Sequence, residues 1–82
     1  MSKPKTLTDV PARSHVHIEG FTPDTSHELR ERLLAYGLIP GQHIRVLAQK
    51  PVTVLQIEHT ELALEKVLAA CVLVKKQAKK QA

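Results

Sequence analysis

The chain has 82 residues, enough for one small domain but not for two, since typical domains hold roughly 100–150 residues. It is 43% hydrophobic but only 2% aromatic, with Phe21 and Tyr36 the whole aromatic complement, so its core must be built from Leu, Ile and Val. The formal net charge of +4 belongs to the ends: without Lys3, Lys5, Lys75, Lys76, Lys79 and Lys80, residues 6–74 carry 6 basic against 8 acidic side chains, a poor basis for a phosphate-binding face.

Residues 1–13, with Pro4 and Pro11, read as a lead-in from which Leu7 and Val10 can pack against the domain. From Ser14 the pattern alternates, Val16 and Ile18 apolar between His15, His17 and Glu19, which predicts a half-buried strand that Gly20 allows to bend or bulge. The period then changes. Thr25 followed by Glu28 predicts a capping box, with Asp24 a competing cap, and Leu29 and Leu33 form the main stripe of a helix that Leu34 widens. Gly37 stands where a left-handed helix-ending residue is wanted, Leu38 can fold back on the helix, and Pro40-Gly41 makes a tight turn. Strands follow over His43 to Ala48 and over Val52 to Glu58, and His59-Thr60 reads as a turn into a further strand with Leu62 and Leu64 on one side. Lys66 to Ala70 fits one helical turn, and Cys71-Val72-Leu73-Val74 reads as a closing strand buried on both faces. Residues 75–82 are a basic tail with no core-forming side chain. The expectation is an all-β domain over residues 14–74, a small barrel of about five short strands with one main helix between the first and second. Closure of the sheet would remove its exposed edges.

These residues carry a resemblance. Gly20, the helix Leu29-Arg30-Glu31-Arg32-Leu33-Leu34, then Tyr36-Gly37-Leu38-Ile39-Pro40-Gly41, Ile44, Val46 and the ending Leu62-Ala63-Leu64 … Ala69 … Val72-Leu73-Val74 are similar to the FeoA family of small cytosolic proteins of bacterial ferrous iron uptake. The resemblance spans roughly residues 7–75 and rests on a helix ending Leu-Leu-x-x-Gly-Leu-x-Pro-Gly. It implies an SH3-like barrel, a cytoplasmic location, and a non-enzymatic role in binding and modulating FeoB, the membrane iron transporter with a cytosolic G-protein domain. Tyr36 departs from the small or aliphatic residue the family often carries there, and the Lys-rich tail runs past the family's usual end.

The candidate partner surface is the helix end and turn: Leu34, Tyr36, Gly37, Leu38, Ile39, Pro40 and Gly41. Leu29, Leu33 and Leu38 are expected to close the core, while Leu34, Tyr36 and Ile39 fall off the main stripe and are expected at the surface, rimmed by Arg30, Arg32 and His43.

His15-x-His17 places two imidazoles on one strand face with Glu19 continuing it, a weak candidate for a divalent metal carrier or sensor. A structural site wants about four ligands, so the plainer reading is exposed strand residues. Cys71 is expected to be a small buried hydrophobe; as a lone cysteine it makes no internal disulfide, which suits a reducing cytosol. No apolar stretch approaches the roughly 20 residues of a membrane-spanning helix, and Met1 to Lys5 lead into none of secretory type. No phosphate loop, carboxylate pair or activated nucleophile stands out, so no enzyme and no cofactor is expected. Lys75, Lys76, Lys79 and Lys80 give at most a weak membrane-surface contact, and no specific nucleic acid is expected; an SH3-like nucleic-acid module is the remaining alternative.

Overall fold

A computed structural model of the protein describes residues 5–76. In chain order they form β1 (Lys5–Thr6), a 3₁₀ turn (Leu7–Asp9), β2 (His15–Phe21), α1 (His27–Ala35), β3 (His43–Ala48), β4 (Thr53–Ile57), β5 (Thr60–Leu64), the short helix α2 (Lys66–Ala69) and β6 (Val72–Lys76). The strands make one antiparallel sheet in the order β1-β6-β2-β3-β4-β5.

The sheet coils around a single core. A flat sheet would separate its outermost strands by about 24 Å, five spacings of about 4.8 Å. Yet Leu7, just past β1, and Leu64, on β5, lie in the same buried cluster. Register shifts between Ile18 and Gly20 in β2 and between Val46 and Ala48 in β3 supply bends of the kind that bulges produce. Alternation does the rest: Val16 and Ile18, Ile44 and Val46, and Val72 and Val74 all point inward.

The architecture is the mostly antiparallel sheet with one main helix that the sequence implies, with four differences in detail. First, the lead-in belongs to the domain. Lys5 pairs with Val74 and Thr6 with Leu73, so there are six strands and α1 falls between the second and third. Two residues are too short to show any period, which is why β1 does not stand out in the sequence. Second, β1 and β5 end the strand order unpaired with each other among the described residues, so hydrogen bonding does not close the sheet. Third, β6 continues through Lys75 and Lys76, two residues into the stretch read as tail, because the ladder with β2 extends to His17 and Val16. Lys79 and Lys80 lie outside the described residues. Fourth, only one face of β6 is fully buried; Cys71 and Leu73 are half-buried.

The helix start also shifts by one. Ser26 is the N-cap, its hydroxyl accepting from the Leu29 amide at 3.1 Å. Thr25 is instead turned inward, its hydroxyl bonded to that of Thr22 at 2.7 Å and its amide donating to the Thr22 carbonyl at 3.0 Å. With Asp24, Thr25 and Ser26 in a row, all able to cap, burial of Thr25 decided which one does so.

Candidate functional site

The end of α1 is fixed by local chemistry. Tyr36 is its C-cap, and Gly37 follows at φ +99°, a left-handed conformation that costs a residue with a Cβ roughly 1–2 kcal/mol. The Leu38 amide then donates to the Leu33 carbonyl at 3.1 Å and the Gly37 amide to the Leu34 carbonyl at 2.9 Å, the paired bonds of a Schellman motif. Leu33 and Leu38, its two hydrophobic partners, are both fully buried.

The turn beyond is pinned to the sheet. The Gly41 amide donates to the Ile18 carbonyl at 2.7 Å, the Ile18 amide to the Gln42 carbonyl at 3.0 Å, and the Gln42 amide to the Ile39 carbonyl at 2.9 Å. Gly41 itself sits at φ +93°. The segment from Tyr36 to Gln42 is therefore held from both sides, by the helix and by β2.

This scaffold displays what it does not bury. Tyr36 is 43% exposed and Ile39 51% exposed, with Pro40 and Gly41 also at the surface. Leu34 is half-buried, less exposed than its place off the helix stripe suggests, and Leu29 is likewise half-buried. Gly37 is half-buried, with the Ile57 side chain of β4 beneath it, while Leu38 lies wholly in the core. Of the candidate partner residues, Tyr36 and Ile39 offer the apolar contact area, and Leu38 supports them from below. Arg30, Arg32 and His43 are exposed, and Arg32 lies one turn before Tyr36.

The histidines fall differently. On β2, His15, His17 and Glu19 share the outer face, and His17 Nε2 lies 2.9 Å from Glu19 Oε2. The neighbour of His17 across the ladder is His43 on β3, with ring centroids 6.1 Å apart; the neighbour of His15 is Arg45. The structure thus joins His17 to Glu19 and to His43, and sets His15 beside a cation. Among the described residues no three His, Cys, Asp or Glu side chains converge as a group able to hold a metal ion. The closeness of His43 to His17 escapes sequence reasoning because a helix separates the two strands, and only a tight turn would have fixed their register. His27, 3.9 Å from Glu31, and His59, in the β4–β5 turn, stand apart and exposed.

Cys71 is half-buried against the core, its thiol donating to the Val67 carbonyl at 3.4 Å. Lys75 and Lys76 project from the end of β6, paired with His17 and Val16. No helix among the described residues is long and apolar enough to cross a membrane.

No curated protein sequence matches the chain. Solved structures do. The FeoA-like protein from Clostridium acetobutylicum superposes with a TM-score of 0.80 at 24% identity, covering 100% of this chain and 96% of that one. FeoA of Stenotrophomonas maltophilia, solved with zinc and described as an SH3 domain protein, gives a TM-score of 0.74 at 25% identity, covering 87% of this chain and 89% of its own. T. acidophilum IdeR reaches a TM-score of 0.81 at 18% identity, covering 94% of this chain but only 36% of that one, so the same fold also occurs inside a longer protein. The FeoA domain model matches residues 5–76, taking in every described element from β1 to β6, and the chain therefore belongs to the FeoA family, which is linked to ferrous iron uptake.

Proposed function

We propose that this protein is a non-enzymatic accessory of ferrous iron uptake that binds the FeoB-type membrane transporter from the cytoplasmic side and modulates it. The observation that carries this reading is the pair Tyr36 and Ile39, two large apolar side chains held in water on a backbone that hydrogen bonds tie to both α1 and β2. An exposed aromatic on a rigid support loses little conformational freedom on docking, and such residues dominate binding energy at interfaces. Leu34 adds partly covered apolar area, Gly37, Pro40 and Gly41 set the shape of the turn, and Leu38 holds the turn down on the core. Family membership supports the iron connection, and the S. maltophilia relative has been suggested as a ferrous iron transport activating factor. A modulating role needs a binding surface and no catalytic group.

Calorimetric titration of the full chain against the cytosolic domain of the cognate transporter tests the proposal. Saturable one-to-one binding is expected, weakened at least about tenfold by Tyr36→Ser combined with Ile39→Ser, since interface anchors are worth more than 1.4 kcal/mol. Undiminished binding by a double variant with an unchanged melting temperature would move the contact elsewhere on the domain.

A further inference from the structure

We propose that His17 and His43, oriented by Glu19, form a two-imidazole site for a divalent first-row transition metal ion on the outer face of the β2–β3 ladder. The strand register makes the case. His17 and His43 are directly opposed, and opposed side chains in an antiparallel pair have Cβ atoms about 4.5–5.5 Å apart. His15 and His17, two residues apart on one strand, are separated by about 6.6 Å of backbone rise and therefore start farther from each other.

Ring geometry agrees. Two imidazoles sharing one ion through bonds of roughly 2.0–2.1 Å hold their ring centres roughly 5–6.5 Å apart, according to the angle at the metal. The His17 and His43 rings are 6.1 Å apart and tilted by 45°.

Glu19 favours one tautomer of His17. An ionised carboxylate only accepts hydrogen bonds, so the 2.9 Å contact is made by the tautomer that carries its proton on Nε2, and the neutral ring then presents its lone pair at Nδ1. A carboxylate that orients a ligating imidazole through its other nitrogen is a recurrent partner of protein metal sites. Two protein nitrogens leave the remaining positions to water, and imidazole donors favour zinc, copper, nickel and ferrous iron over calcium and magnesium. Lys75, opposite His17 on β6, and Arg45, two residues beyond His43, place positive charge nearby and keep the site weak and exchangeable.

The test follows the histidine ring resonances of the full chain by NMR during titration with Zn2+ alone, above the pH range in which imidazole is protonated. His17 and His43 are expected to shift together in a first one-to-one step, ahead of His15, His27 and His59. His43→Gln should abolish that step, His15→Gln should leave it, and Glu19→Gln should weaken it about tenfold, the usual effect of losing such an orienting partner. Joint movement of His15 with His17, or all five rings titrating with one shared midpoint, would overturn the assignment, as would an unchanged first step in His43→Gln.

Discussion

Gln49 donates its side-chain amide to the Val10 carbonyl at 2.6 Å, joining the end of β3 to the chain before β2. The same amide nitrogen reaches the Leu7 carbonyl at 2.7 Å, and its oxygen accepts from the hydroxyl of Thr53, which is fully buried at the start of β4. One neutral side chain thus satisfies polar groups from two segments more than forty residues apart, above the buried Leu7 and Val10. Gln49→Ala strands two carbonyls and a hydroxyl in a partly buried place. A loss of about 2 kcal/mol is expected, or about 10 °C in melting temperature for a domain of this size, with faster amide exchange through the first segment. A melting temperature within a degree or two of the parent would show that water replaces the amide.

Gly37 offers a separate test of backbone strain. A Cβ at this position meets nothing nearer than Ile57 Cδ1 at 3.9 Å, so Gly37→Ala introduces no clash. Its cost is conformational, about 1–2 kcal/mol from forcing a residue with a side chain to φ +99°. Denaturant titration should show that loss with an unchanged slope, and Gly37→Asn should recover part of it.

Packing and docking separate cleanly around the same turn. Leu33→Ala or Leu38→Ala removes a fully buried side chain and should cost about 2–5 kcal/mol, a large share of the stability of so small a domain. Tyr36→Ser and Ile39→Ser alter exposed residues and should stay within about 0.5 kcal/mol. Thermal melts of the four single variants decide the matter, and a large loss in either surface variant would mean that its side chain packs rather than waits for a partner.

Glu58 opens the two-residue connection between Ile57 and Thr60 at φ +57°, a left-handed position held by an exposed side chain without a glycine's freedom. Glu58→Gly is expected to stabilise the domain by about 0.5–1 kcal/mol, as relief of a left-handed non-glycine residue exceeds the entropy added to the unfolded chain. A raised denaturation midpoint checks it.

What the sequence reveals depends on how local the cause is. The end of α1 is legible because Gly37, Pro40 and Gly41 act within a few residues, and the inward faces of β2 and β3 are legible because alternation is local too. The choice of Ser26 over Thr25 as N-cap is not, since it turns on Thr25 finding a buried partner in Thr22. Nor is β1, whose two residues are strand only because β6 lies beside them. At the candidate surface Tyr36 and Ile39 are exposed as their positions suggest, but Leu34 is partly covered by contacts that no helical wheel contains. The opposition of His17 and His43 likewise depends on a register set through an intervening helix.

The pairing of Lys5 with Val74 has a consequence for how the protein is made. Among the described strands β1 is made before all the others and its neighbour β6 after them, so β1 waits for the rest of the domain before it can be placed. Until then Leu7 and Val10 have no finished core to enter, and closing so long a loop delays the final step of folding. Truncation within β6 would therefore release β1 as well.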